Sequence, residues 1–244
     1  MNSNQYLLPI AIVIAGIFAG VAILIVRGGY LLPNDVPAPN TDNVPAGKEI
    51  SLRPVGTRDH ILGNPDAAVI IIEYSDFGCP YCALFHATMQ DIMSTYGKEG
   101  KVAWVLRHFP YEEKHINSTK TAQLSECLAE RRGETAFWDF ADNIFTASRA
   151  TPETELFTLQ DSIVSNAAIS AGLKEGDIPE CYTEKSFASR VDSDYKEGLK
   201  LAENDSTFGT PYIIIIGRDG TKEILSGVQE YSIIKSYIDL FLKI

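Results

Sequence analysis

Val69-Ile70-Ile71-Ile72-Glu73-Tyr74 is followed, after four residues, by Cys79-Pro80-Tyr81-Cys82, and this succession decides the fold. Val69 to Ile72 are all β-branched, the pattern of a strand buried on both faces. A helix-like run opens at Cys79 and reaches about Tyr96. The first cysteine therefore stands at a helix start, where backbone N–H groups and the positive end of the helix dipole favour a thiolate. The first is expected to be the exposed thiol and the second the buried one, one turn inward and placed to attack a mixed disulfide held on the first. Two thiols so arranged can form and break a disulfide.

The 244-residue chain carries a net charge of −11 and has no run of clustered Lys and Arg, which excludes a nucleic-acid partner as the expected role. Eleven Tyr and eleven Phe can fill a core. The four cysteines are compatible with two disulfides and an oxidising compartment. Tyr6 to Val26 contains no charged residue. At 1.5 Å per residue that run spans roughly 30 Å, the thickness of a bilayer core. It is longer than a signal-peptide core and no basic segment precedes it, so an uncleaved transmembrane anchor over 6–26, after a tail of 1–5, is expected rather than a cleaved leader. Arg27 alone would place the following domain in the cytoplasm; the cysteine usage and the chemistry at Cys79 argue for the outside, and the outside is the expectation. Gly16 and Gly20 have the spacing of a helix-packing motif, but glycine is common in membrane helices.

Residues 27–56 hold Pro33, Pro37, Pro39, Pro45 and Pro54 among polar residues, the composition of a stiff linker. Beyond it, Val102 to Arg107 reads as a second strand. Helical spacing dominates from Ser118 to about Asn204, including Leu156 to Ala171 and Phe187 to Leu201. Strand signals return at Tyr212 to Ile216 and Glu223 to Leu225, about a Gly217-Arg218-Asp219-Gly220 turn, and Tyr231 to Leu242 closes as a helix. A block of helices inside a split α/β domain follows from that order.

Between roughly His60 and Leu242 the chain resembles the DsbA-like thiol:disulfide oxidoreductases. Three stretches carry the resemblance: His60-Ile61-Leu62-Gly63-Asn64-Pro65-Asp66, Glu73-Tyr74-Ser75-Asp76-Phe77 leading into the cysteine motif, and Phe208-Gly209-Thr210-Pro211 before the late strand. The resemblance implies an α/β thioredoxin fold with an inserted all-helical subdomain: 57–117 as its first part, 118–204 as the insertion, 205–244 as its second part. It implies catalysis by Cys79 and Cys82 without a cofactor. It also makes Pro211 a cis-proline facing the cysteines, with Thr210 before it able to pair with an extended substrate and to tune the thiolate. A strand-entry proline with no N–H to satisfy suits that place. The pair Pro80-Tyr81 departs from the Pro-His of strongly oxidising members. Tyrosine brings no positive charge, so a potential between roughly −120 mV and the glutaredoxin range of about −200 to −230 mV is expected.

Glu73 falls in the strand expected to be buried, where an unpaired carboxylate is costly. The family has an acid beneath the disulfide, which can exchange a proton with the inner thiol, Cys82; the alternative is an exposed acid at a strand end. Some members staple the helical insertion with a second disulfide, for which Cys127 and Cys181 are the candidates, the alternative being two free buried cysteines. Cys79, Cys82 and His86 lack the fourth ligand of a closed metal site, so no metal is expected. His60, His108 and His115 read as structural or exposed, and Phe137, Trp138 and Phe140 as helix core.

The expected activity is a membrane-tethered, monomeric oxidase that introduces disulfides into exported proteins and is reoxidised by a membrane redox partner. A reductase, an isomerase, and a peptide-binding or chaperone module without redox turnover are the alternatives.

Overall fold

A computed structural model describes residues 52–151 and 157–243. The expected tail, the expected anchor and most of the 27–56 linker lie outside them. Among the described residues no helix is long and apolar enough to cross a membrane.

Five strands form one sheet: β1 His60–Gly63, β2 Val69–Ser75, β3 Val102–His108, β4 Tyr212–Gly217 and β5 Lys222–Ser226, in the spatial order β1-β3-β2-β4-β5. β2 and β3 run parallel, as their helical crossover requires, and the other three pairings are antiparallel. The crossover is α1, Pro80–Ile92, extended by a π-helical turn over Met93–Gly97. β2 sits at the centre, with Glu73 opposite Leu106 on one side and Ile213 on the other. Side chains alternate across it. Val69 and Ile71 join Trp104, Ile213 and Ile215 under α1 and the last helix, α7 (Tyr231–Leu242). Ile72 and Tyr74 join Val105, Phe109 and Ile214 on the other face. Glu73 follows Val69 and Ile71 in period, so its side chain belongs under α1.

Between β3 and β4, among the described residues, come five α-helices: α2 Ser118–Arg132, α3 Glu134–Ala150, α4 Asp161–Ser170, α5 Ile178–Thr183 and α6 Lys185–Asn204, with a 3-10 turn over Glu175–Asp177 before α5. Leu124, Leu128, Phe140, Ile144, Phe145, Ala168 and Phe187 build their core, and Phe77, Cys79 and Cys82 pack into the same cluster. The cysteine turn is thus shared between the sheet domain and the helical block. Cys127 of α2 and Cys181 of α5 are joined by a disulfide across 54 residues of chain.

Three local readings of the sequence change. β1 is a strand that sequence periodicity does not reveal, since four residues are too few to alternate; it is defined by antiparallel pairing of His60 to Gly63 with Leu106 to Ala103. The helix expected from Leu156 begins at Asp161; Phe157 and Leu159 are buried without being helical. A short α5 appears around Cys181, with Pro179 in its first turn, where a missing N–H costs nothing.

Candidate active site

The β2–α1 junction holds the reactive pair. Cys79 caps α1 with extended backbone (φ −83°, ψ 118°), and Pro80 opens the helix. Both cysteines are free thiols. The expectation that Cys79 would be exposed needs correction: its residue is 3% exposed and Cys82 is fully buried. The two therefore differ in ionisation more than in exposure. A hydrogen bond from the Cys82 thiol is the largest influence on Cys79; with Thr210 and the Cys82 backbone N–H it outweighs burial and Asp76, and the Cys79 pKa falls to about 6. Burial, followed by the Cys79 sulfur itself, pushes the Cys82 thiol well above its ordinary value. One sulfur is a thiolate at neutral pH and its neighbour is the proton-bearing partner.

The Thr210-Pro211 bond is cis, and the Cys79 thiol meets the Thr210 carbonyl oxygen at 3.4 Å. β2 and β4 are neighbours in the sheet, which is why segments 131 residues apart meet here. Tyr81, by contrast, turns outward and is 61% exposed; Leu84, also on α1, and Ile116 are exposed as well.

Glu73 is fully buried. The Trp104 indole N–H donates to its Oε2 at 3.0 Å. Burial dominates its ionisation and raises its pKa to about 7, against hydrogen bonds that favour the charged form. The Glu73 charge in turn raises Cys82. The reading of Glu73 as an exposed acid at a strand end is excluded.

Sequence reasoning missed Asp76 and His115 as neighbours of the cysteines. Asp76 is 1% exposed. Its N–H donates to Cys82 Sγ at 3.5 Å. Its Oδ1 accepts from the Gly78 N–H at 2.8 Å and the Ser118 hydroxyl at 2.6 Å, and its Oδ2 from the Tyr111 N–H at 2.8 Å. His115 Nδ1 lies 2.7 Å from the same Oδ2. An Asp whose side chain closes a turn onto the N–H two residues on was a signal available in Asp76-Phe77-Gly78. Nothing in the sequence ties His115, 39 residues later, to it.

The other histidines stand apart from the thiols. His86, fully buried, places Nε2 2.5 Å from Asp142. His60 and His108 converge on the Glu126 carboxylate, each with Nε2 3.2 Å from Oε1. Their ligand atoms and that carboxylate lie within 4.8 Å of one another, the arrangement among the described residues that could hold a metal ion. Its charge is already balanced by the protein. Burial opposes protonation of His60, but hydrogen bonds from its ring to the Glu126 and Glu134 carboxylates lift its pKa to about 9, and Arg190 reaches Glu126 at 3.4 Å. Phe137 stacks on His60 at 3.6 Å, so that aromatic residue serves the core, as do Trp138 and Phe140.

Comparison with known proteins agrees with this geometry. A family model described as Thioredoxin matches residues 56–238. The chain is similar to alpha-DsbA1 of Wolbachia pipientis, at 25% identity and a TM-score of 0.62, over 78% of this chain and 94% of that one. BdbD from Bacillus subtilis, in its oxidised form, shares the fold at 24% identity and a TM-score of 0.62, over 76% and 94% of the two chains. Among curated proteins, Na(+)/H(+) antiporter NhaA 1 of Mycolicibacterium gilvum (strain PYR-GCK) is 34% identical over 103 residues, 42% of this chain. The chain spans only 16% of that antiporter's length.

Proposed function

The chain belongs to the thioredoxin family as a DsbA-like thiol:disulfide oxidoreductase, and from that premise we propose that it is an oxidase of exported proteins, held outside the cytoplasm by its 6–26 segment. The observation that carries the direction of transfer is the opposed ionisation of the two thiols, Cys79 lowered and Cys82 raised. Stabilising the thiolate stabilises the reduced protein, and that makes its disulfide the stronger oxidant.

A substrate thiolate attacks Cys79 Sγ of the oxidised pair. The Cys79–Cys82 bond breaks and its electron pair leaves on Cys82, which takes up a proton. Glu73, buried and neutral below about pH 7, supplies that proton, directly or through one intervening group. A second substrate thiol, losing its proton, then attacks the substrate sulfur of the mixed disulfide, and Cys79 departs as a thiolate. The substrate has lost two electrons and gained a disulfide. A membrane partner bearing a more oxidising disulfide takes the two electrons away again.

Substrate recognition falls to the Thr210-Pro211 segment, where the free backbone of an extended peptide can pair beside Cys79, and to the exposed apolar side chains of Tyr81 and Leu84 on α1 and of Ile116, next to His115 in the chain. Pro80 and Tyr81 bring no charge, so redox tuning from within the motif is weak.

The test is the reduction potential of the pair together with its state in growing cells. A potential between about −120 and −230 mV, with the pair oxidised in cells and reduced substrates refolded by the oxidised protein but not by Cys79→Ser, supports the oxidase. A potential near about −270 mV, with the pair reduced in cells, assigns it as a reductase instead.

A further inference from the structure

The segment between β3 and α2 closes directly over the cysteine turn. A Cβ added to Gly78 would lie 2.5 Å from His115 Cβ and 2.7 Å from Ser118 Oγ, so only glycine lets the two segments meet. His115 is held there by the 2.7 Å contact with Asp76 Oδ2. The same segment is fixed at its far end by Glu112, which accepts from the N–H groups of Asn117 at 2.8 Å and Thr119 at 2.9 Å. The imidazole is partly shielded, with its side chain 17% exposed.

Asp76 presents a difficulty that this arrangement answers. A buried carboxylate beside the cysteine turn opposes ionisation of Cys79, yet the turn needs Asp76, because it ties together Gly78, Tyr111 and Ser118. A cation on the same carboxylate removes the conflict. The motif itself offers none, since its inner residues are Pro80 and Tyr81.

We propose that His115 is a positioning residue for disulfide exchange, its imidazolium neutralising Asp76 and so stabilising the Cys79 thiolate, a charge supplied from outside the motif in place of one between the cysteines. The groups that act on its ionisation are Asp76 and Cys79 from the β2–α1 turn and Lys114 on its own segment. The Asp76 hydrogen bond is the largest and raises the His115 pKa; the Cys79 charge adds to the rise, and burial and Lys114 oppose it. The coupling runs both ways: a thiolate that holds the proton on His115 is itself held by that proton. No new covalent step is involved. When the disulfide takes two electrons, Cys82 gains one proton and Cys79 remains a thiolate beside the His115–Asp76 pair.

The inference rests on Cys79 being the ionised nucleophile, and the experiment separates the two. In wild-type protein, the His115 titration is followed by NMR in the oxidised and reduced states. A higher His115 pKa in the reduced state is expected, and equal values in the two states would overturn the proposal. In His115→Gln, the equilibrium constant with glutathione should fall about tenfold at pH 7, close to 30 mV more reducing. The loss should shrink at alkaline pH, where wild-type His115 is also neutral. His115→Arg, which keeps a charge, should retain the wild-type value. A loss of equal size at every pH, or an unchanged constant at pH 7, would refute the role. If alkylation of the reduced wild-type protein, with His115 intact, labels Cys82 before Cys79, it is the assignment of the nucleophile that fails.

Discussion

Replacing Glu73 by Gln should make the protein more stable, and increasingly so as pH rises. The folded carboxyl has a pKa of about 7 against an ordinary value of 4.5, chiefly because it is fully buried. Between those values the folded state binds a proton that the unfolded chain has already released. Native stability therefore falls as pH climbs through that window, and the loss is complete only above the folded value. At about 1.4 kcal/mol per pH unit, the full penalty is about 3 kcal/mol, of which roughly a quarter has developed by pH 5. Gln carries no such penalty. It keeps an oxygen for the Trp104 indole N–H, and whatever its buried amide costs is the same at every pH. The stability difference between Gln and Glu should thus move by about 2–3 kcal/mol from pH 5 to pH 8, in favour of Gln at the higher pH. Urea unfolding of both proteins across that range measures it, in a Cys79→Ser background so that the cysteine disulfide and thiolate do not contribute. Parallel pH profiles would show that the buried carboxyl is not held neutral in the fold, and would remove the proton source proposed for Cys82.

Removing the Cys127–Cys181 bridge as the double Ala variant frees a loop of 54 residues; chain entropy puts the loss at about 4 kcal/mol, measurable by denaturant unfolding, and a loss under about 1 kcal/mol would mean the bridge constrains little. Gly78→Ala should cost about 1–3 kcal/mol by overpacking, because its new methyl would meet His115 and Ser118; a calorimetric scan matching wild type would show that the two segments separate freely. Alkylation of the reduced protein should label Cys79 before Cys82, with a rate that rises through pH 6, following the lowered pKa. Peptide mapping that finds Cys82 modified first would reverse the roles of the two sulfurs.

The central strand was legible because four β-branched residues in a row leave few alternatives, and the cysteine motif because its spacing carries its own chemistry. The meeting of Thr210 with Cys79 came from the family resemblance; what physically produces it is the pairing of β2 with β4, and pairing partners are not written in local periodicity. Asp76 and His115 show the limit of such reading. Each looks like an ordinary polar loop residue, and their meaning lies in a contact across 39 residues that exists only after the β3–α2 segment has folded back over Gly78. The exposure of Cys79 was misjudged for a related reason: a helix start is open to solvent in isolation, but here the helical block and the Thr210 segment cover it. Pairing of His60 and His108 about Glu126 likewise joins β1, β3 and α2, three elements that share no sequence signal.

Synthesis of this chain exposes its thiols in an order that its finished fold does not respect. Cys79 and Cys82 emerge first, and Thr210, which covers Cys79, follows 131 residues later. At 5–20 residues per second, the wait is about 7–26 s. Cys127 appears during that interval, and its partner is 54 residues behind it, another 3–11 s or so at the same rate. Every disulfide that Cys127 makes before Cys181 arrives is therefore a wrong one, made with a member of the reactive pair or with another molecule. Any such bond is undone by thiol–disulfide exchange, the reaction of the Cys79–Cys82 pair itself.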